Sequence, residues 1–537
     1  MGLSDMKFTP YTSAMGLSGL RLQFAIATIA TCAFWLFGYD MSIMGGLITE
    51  EPFLSVFPET KDATIQGIVI ATLELGALFG AILCMFYGDR WGRRGTVFVG
   101  MLFMLVGGIL QASAWHIAQM VVGRFLSGVG LGLQVATIPA WQSECAKPKS
   151  RGRWVMIEGG LQTSGVACGQ WVGLGFFYTS GQVQWRAPVA LQLVPAAIVF
   201  FFIMFLPESP RWLVSHGRFS EGKEVLSKLR NLDESHPDLV AEFAGIMASH
   251  EAQKAEAPFA YKELLQNGKT QTFRRMLLGV FVNAAQQLSG INMVSTYANQ
   301  ILSTSFDLSP GTSHLIAACG GTEYALCSLL AVFLIEGLGR RKAFMWTATG
   351  MAACFVVIPI LLSTSSRSNQ LAGAGLLFLF NTFFGLAWVG GPFLYAAEIA
   401  PLRARAPSAA LGSVSNWTCC FLVVMTIPAS FANLGWRTYI YYAVFNAVFV
   451  PVIYFFLVET KGRSLEELDV IFATPGDPVK NEKRLPHDIS VRDAKVALGL
   501  EDHALALGDL DDDAAVARSD KEIEEVAQVH TVEKRAY

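Results

Sequence analysis

The chain has 537 residues, of which 53% are hydrophobic and only 15% charged, with a net charge of −3, a mean hydropathy of +0.42 and a pI near 6.3. Soluble domains carry about 25% charged residues, so this composition excludes a water-soluble globule, and the near-neutral balance leaves no basic surface for nucleic acid. The nine cysteines all fall in or beside apolar runs without paired extracellular spacing, which points to small buried hydrophobes and not to a disulfide framework.

Met1–Leu20 lacks a basic region followed by a short apolar core and a small-residue cleavage site, so the first spanning helix, after an N-terminus of residues 1–21, is expected to direct insertion itself. Apolar runs long enough to cross a bilayer then follow at Leu22–Leu47, Thr64–Tyr87, Thr96–Ala114, Ala118–Trp141, Val155–Tyr178 and Pro188–Leu206, a first set within 22–207. The charged block 208–275 contains Phe219–Asn231, an amphipathic stretch rich in Lys and Glu that predicts short surface helices and not a catalytic domain. A second set, within 276–458, comprises Met276–Leu302, His314–Ile335, Ala343–Leu362, Leu371–Ala397, Ser408–Phe431 and Tyr439–Val458. The tail, 459–537, turns acidic at Asp511–Asp513 and Glu522–Glu525 with few aromatics and reads as largely disordered. The expected fold is an all-α polytopic membrane protein of about twelve transmembrane helices in two sets, with short helices between them.

Orientation follows from the short loops. Arg90, Arg93, Arg94, Lys147, Lys149, Arg151, Arg153, Arg340, Arg341, Lys342, Arg403 and Arg405 fall on one side, which is therefore expected to be cytoplasmic, together with both termini.

An internal repeat divides the chain. Gly88-Asp89-Arg90-Trp91-Gly92-Arg93-Arg94 follows the second span, and Ile335-Glu336-Gly337-Leu338-Gly339-Arg340-Arg341 follows the eighth. Glu144 with Arg151 after the fourth span is echoed by Glu398 with Arg403 after the tenth. Pro207-Glu208-Ser209 after the sixth is echoed by Val458-Glu459-Thr460 after the twelfth. Matched pairs in the same order imply two homologous halves. An acid, a glycine and two arginines at a helix junction allow a tight turn with ion pairs between helices, which are expected to lock one closed arrangement of the halves.

Gln286-Gln287-Leu288-Ser289-Gly290-Ile291-Asn292 places three side-chain amides inside the seventh span, where lipid would reject them. On an unbroken helix Asn292 would point roughly 140 degrees away from Gln287, so convergence needs a break, for which Gly290 is the natural residue. Two readings stand on this stretch alone: a site for a neutral, hydroxyl-rich ligand, or amide pairing that glues helices.

The junctions, with Pro207-Glu208-Ser209-Pro210-Arg211, Gln286–Asn292, Ser415-Asn416-Trp417 and Glu459-Thr460-Lys461-Gly462-Arg463, resemble the sugar porter family of the major facilitator superfamily, most closely its fungal members, over Leu22–Arg463. The resemblance implies the major facilitator fold: two six-helix bundles with a sugar site between them near mid-membrane, alternately open to either side. The family's seventh-helix amides match Gln286, Gln287 and Asn292, and its following aromatic matches Tyr297. Asn416 and Trp417 occupy eleventh-helix binding positions, Phe393 stands where a tryptophan is usual, and Gln162 is the candidate for the fifth-helix glutamine, with Gly159 as the alternative. Tyr324, beside Glu323, replaces a common asparagine, so ordinary glucose specificity does not carry over. The resemblance also implies gating salt bridges among Asp89, Arg93, Arg94, Glu144, Arg151, Glu208, Arg211, Glu336, Arg340, Arg341, Glu398, Arg403 and Glu459.

Asp40 in the first span and Arg124 in the fourth match the acid and arginine of family proton symporters, while a structural pairing of Arg124 with Glu158 is the alternative. Glu74 and Glu323 also lie within spans and must find partners. The histidines form no pair at metal spacing, and Gly268-Lys269-Thr270 lacks the upstream glycine of a phosphate loop, with Glu263 in its place, so no metal or cofactor is expected. The expected activity is sugar transport across the plasma membrane by a monomer amid lipid. Sugar–proton symport is the leading mode, with facilitative uniport and a transporter-like sensor as alternatives.

Overall fold

The structure is a computed structural model that describes residues 16–146, 151–255, 261–268, 270–363, 366–401 and 404–484. Arg403 and the acidic tail lie outside these residues, and the side chains of Arg151 and Glu336 lie outside the described atoms. Every regular element among the described residues is helical.

Ten of the twelve expected crossings fall in eight long apolar helical stretches. Two of these, Ala63–Ala112 and Pro407–Phe456, are 50 residues each. At 1.5 Å per residue such a length reaches about 75 Å, far more than the roughly 30 Å of bilayer hydrocarbon, so each is two crossings. The first is interrupted at Gly92 (φ 74, ψ 176), and the second by the turn Gly435–Arg437 between Arg405–Leu434 and Thr438–Phe456. The remaining crossings are span 5, Arg151–Phe177, and span 7, which is broken into Thr272–Leu288, Ile291–Ser295 and Ala298–Thr304. The chain is thus a multi-pass membrane protein of two six-helix bundles. Phe79, Phe86, Leu102, Ile109, Phe333, Trp346, Ile360 and Phe455 point outward, as lipid-facing residues would.

Span 6 begins at Val183, earlier than its apolar run suggests, with Pro188 inside the first piece. Arg186 is accommodated there because its guanidinium donates to the carbonyls of Ala112 and Ala114, both at 2.7 Å, and lies 4.3 Å from the Trp115 and Trp185 rings. Spans 2 and 4 pack backbone to backbone: a Cβ on Gly76 would come within 2.2 Å of the Phe125 carbonyl oxygen, and one on Gly128 within 2.1 Å of that of Leu73. Between the halves, Phe219–Arg230 buries Gly222, Val225, Leu226 and Leu229 along one face and stops where Asn231 turns left-handed (φ 55). Arg230 holds this layer to the end of span 4 by donating to the carbonyls of Cys145 and Ala146 at 3.3 and 3.2 Å.

Among the described residues, Asn267, Gly268, Thr270, Gln271 and Gly462–Arg484 form a separate compact unit. It contains Leu465–Ala473, opened by a Ser464–Glu467 capping box, and Pro478–Arg484. Asn481 donates to the carbonyl of Thr474 at 3.0 Å.

Candidate functional site

The break in span 7 falls at Gly290, whose φ of 97 belongs to the region open to glycine. A Cβ there would lie 2.9 Å from the Tyr442 ring. The break brings the amides together. Asn292 donates to Gln287 Oε1 at 2.7 Å, Gln287 donates to Asn416 Oδ1 at 3.2 Å, and Asn416 donates to Gln286 Oε1 at 2.6 Å. Gln286 spends its amide hydrogens on the carbonyls of Trp388 and Val389, at 2.5 and 2.9 Å. The two glutamines are used differently: Gln286 is committed to the backbone of span 10, whereas Gln287 is half-buried with one donor and one lone pair still open.

Around this chain, Trp417 of span 11 packs against Phe37 of span 1, with ring centroids 5.7 Å apart. Phe393 is half-buried on span 10 and Gln162 half-buried on span 5. The Gln162 carbonyl lies where a Cβ on Gly38 would stand, 1.8 Å away, so spans 1 and 5 touch there. Tyr297 is fully buried and its hydroxyl donates to the Val424 carbonyl at 2.8 Å. In this conformation it supports the site from behind instead of offering a hydroxyl to it.

Arg124 pairs with Asp40 at 3.7 Å, both side chains about 1% exposed, and also donates to the Ile70 carbonyl at 3.3 Å. Glu158, the alternative partner, is buried on span 5 and its Oε1 has no hydrogen-bond partner among the described residues. Glu323 accepts from Thr382 at 2.5 Å and from Cys327 at 3.1 Å. Its neighbour Tyr324 lines a partly open cavity with Gln170, Ser295 and Asn381. That cavity does not reach Gln286, Gln287 or Asn416, so the altered eighth-helix positions sit apart from the amide chain.

The repeat is reproduced atom by atom at the Arg-rich end. Arg93 grips Glu144 through Nε and Nη2 at 3.0 and 2.9 Å, and Arg340 grips Glu398 in the same way at 3.1 and 2.8 Å. Glu208 accepts the backbone N–H groups of Arg93 and Arg94 at 3.0 and 3.1 Å, and Glu459 those of Arg340 and Arg341 at 2.8 and 3.1 Å. Gly92 (φ 74) and Gly339 (φ 86) open the backbone for these contacts. Arg94 donates to the Met204 carbonyl and Arg341 to that of Tyr454. Asp89 meets Arg93 at 3.5 Å. Arg211 is exposed and forms no ion pair among the described residues. Burial pushes the Glu208 carboxyl above the ordinary carboxylate range, although the N–H groups of Ser209 and Arg94 and the charges of Arg94 and Arg93 pull against it. These pairs join spans of the same half. Glu144 and Glu398 each grip an arginine of their own half, while Glu208 and Glu459 accept backbone N–H groups of their own half.

At the opposite end a set of polar contacts between the halves was missed from the sequence. His314 meets Glu50 at 2.8 Å, Gln66 and Gln300 exchange hydrogen bonds at 3.1 and 3.3 Å, and Gln170 donates to Ser295 and accepts from Asn299 at 3.1 and 3.2 Å. Backbones meet there too: a Cβ on Gly45 would stand 1.7 Å from the Thr296 carbonyl oxygen. That end is closed. Uncharged amides inside apolar runs were the available signal, the same one that picked out Gln286.

The family described as "Sugar (and other) transporter" matches residues 25–472. The chain belongs to this sugar transporter family of the major facilitator superfamily. It is a transporter and not an enzyme. Among relatives of this family member, the sugar transporter STL1 of Saccharomyces cerevisiae is 36% identical over 520 residues, spanning 94% of this chain and 90% of its own. The major facilitator superfamily transporter mfsA of Aspergillus fumigatus is 35% identical, covering 89% and 91%, and the high-affinity glucose transporter 1 of Candida albicans 30%, covering 83% and 85%. The proton:xylose symporter XylE bound to 6-bromo-6-deoxy-D-glucose superposes with a TM-score of 0.69 at 21% identity, covering 84% of this chain and 99% of its own. That likeness speaks for the fold.

Proposed function

We propose that this family member is a sugar–proton symporter of the plasma membrane that works by alternating access, with the Arg-rich end and both termini in the cytoplasm. The observation that carries the reading is the buried pairing of Asp40 with Arg124, together with an amide chain that retains unspent hydrogen-bonding capacity. The bundles are assigned to 22–207 and 276–458, with 208–275 as a cytoplasmic helical layer between them.

Gln287 and Asn292 donate to and accept from sugar hydroxyls, Gln286 and Asn416 hold them in register, and Trp417 and Phe393 offer ring faces to a pyranose. Gln162 approaches from the first half, and Tyr297 backs the break. The paired acids and arginines at the junctions hold each bundle rigid, so that the bundles move as bodies. Protonation of Asp40 would release Arg124 and lower the cost of rearranging that interior, which couples a proton to the sugar-loaded state. A proton entering across about 100 mV gains about 2.3 kcal/mol, enough for roughly 50-fold accumulation of a neutral sugar before any pH gradient is counted.

Purified protein in liposomes tests this reading: adding sugar outside should alkalinise the external medium, and Asp40→Asn should abolish uphill accumulation while sugar exchange remains measurable. A wild type that equilibrates sugar with no proton movement is a uniporter.

A further inference from the structure

Span 10 fixes the direction of the amide chain. The backbone carbonyls of Trp388 and Val389 can only accept, so the Gln286 group facing them at 2.5 and 2.9 Å is its NH2, and its oxygen faces away. That oxygen takes Asn416 Nδ2 at 2.6 Å, an assignment the Asn283 carbonyl repeats by accepting from the same nitrogen at 3.2 Å. Asn416 Oδ1 is then the acceptor for Gln287 Nε2, and Gln287 Oε1 the acceptor for Asn292 Nδ2, at 3.2 and 2.7 Å. Each amide inherits its orientation from the one before. None can flip without setting two oxygens or two NH2 groups face to face.

Asn292 ends the chain. One of its N–H groups goes to Gln287 and the other to Cys420 Sγ of span 11 at 3.4 Å, while its Oδ1 receives no hydrogen bond among the described residues. The residue is 3% exposed. A buried carbonyl oxygen without a donor costs about 1–3 kcal/mol, so the chain terminates in an acceptor that a ligand hydroxyl would satisfy. Asn292 itself has no donor left to offer. Cys420, 1% exposed, follows Asn416 by four residues on the same helix, so one face of span 11 holds both the middle and the end of the chain.

Resting on the pyranose reading above, we propose that Cys420 is a positioning residue that, by occupying the second Asn292 N–H, fixes this amide as a pure acceptor, so that the site selects sugars presenting a hydroxyl that donates to Asn292 Oδ1. The open N–H of the neighbouring Gln287 addresses an oxygen that accepts. The two amides therefore read the solute in opposite senses. A hydroxyl can serve either one, whereas a fluorine, which has no hydrogen to donate, can serve only the Gln287 N–H.

The test is equilibrium binding to the purified, monodisperse full chain. The probes are D-glucose or D-xylose, whichever the wild type binds more tightly, and the deoxy and deoxyfluoro analogues at each ring hydroxyl. At one or more positions the deoxyfluoro analogue should bind about tenfold more weakly than the parent and no better than the deoxy analogue, because fluorine sets its negative end against Oδ1. In Asn292→Ala that penalty should fall to about twofold or less. Cys420→Ala, which lets the amide pivot about its bond to Gln287, should shrink the penalty at the same position by about threefold or more, whereas Cys420→Ser, whose hydroxyl oxygen still accepts, should keep it. A merely structural Cys420 would weaken every analogue by one factor and leave their ratios unchanged. Deoxyfluoro analogues that outbind the deoxy ones at every position overturn the assignment while the sugar site stands, and so does a penalty unchanged in Cys420→Ala or lost equally in Cys420→Ser. If the wild type binds neither sugar, the pyranose reading itself fails and this inference falls with it.

Discussion

Gln286 and Gln287 are neighbours of identical chemistry that the structure uses differently, so truncating each should fail in its own way. Gln287 accepts one hydrogen bond and donates one, at 2.7 and 3.2 Å, and keeps one N–H and one lone pair open. If both serve sugar hydroxyls at about 0.5–1.5 kcal/mol each, Gln287→Ala loses about 1–3 kcal/mol of binding, or roughly 5- to 150-fold in Kd. Gln286 has no such reserve in its amide hydrogens: both go to span 10 carbonyls, and its oxygen takes the Asn416 amide. Gln286→Ala leaves those buried groups unsatisfied, at about 1–3 kcal/mol for each group that finds no substitute, and should appear mainly as a lower melting temperature of the purified protein. Thermal unfolding in detergent and equilibrium sugar binding on the same preparations separate the two. Wild-type affinity in Gln287→Ala, or an affinity loss in Gln286→Ala without loss of stability, would refute this division of labour.

Other outcomes follow from the same geometry. Gly290→Ala would force a left-handed backbone on an L residue and press its Cβ to 2.9 Å from Tyr442; strain of about 1–3 kcal/mol should lower the melting temperature and weaken binding by displacing Asn292. A wild-type melt would show that the break does not depend on glycine. Glu50→Gln should weaken the closed end by loosening its contact with His314. Thiol labelling of a Ser295→Cys probe would then rise relative to the parent protein, and unchanged labelling would count against this latch. Arg93→Lys and Arg340→Lys each forfeit a two-pronged grip on a carboxylate and should destabilise by similar amounts, about 1–2 kcal/mol. A melting shift in only one of them would break the equivalence of the two halves.

Much of the fold was legible because lipid imposes a coarse rule: apolar length sets the spans, and the acid–glycine–arginine repeats set the halves. Gly290 could be chosen as the break because three amides on one straight helix cannot converge. The direction of the ion pairs was not legible, since an arginine after span 2 can equally meet an acid of its own bundle or of the other, and only the fold decides for Glu144. Cys420 reads as a small hydrophobe from composition, and its meeting with Asn292 depends on how spans 7 and 11 cross. Glu50 and His314 are 264 residues apart, and nothing local in the sequence pairs them. Tyr297 was matched to a sugar contact by position in a motif, but the backbone turn after Gly290 gives its hydroxyl to Val424.

In the proposed cycle this chain moves a hydroxyl-rich solute uphill on the proton gradient. The most direct measurement is accumulation of a labelled sugar in cells lacking their own transporters, competed by hexoses, pentoses, polyols and disaccharides, with and without a proton uncoupler. Proton coupling would give saturable uptake to an inside concentration above that outside, selective competition by one of these classes, and collapse to equilibrium when the uncoupler is added. Uptake that never exceeds equilibrium and ignores the uncoupler would contradict proton coupling, and the absence of any sugar-competed uptake would contradict the account as a whole.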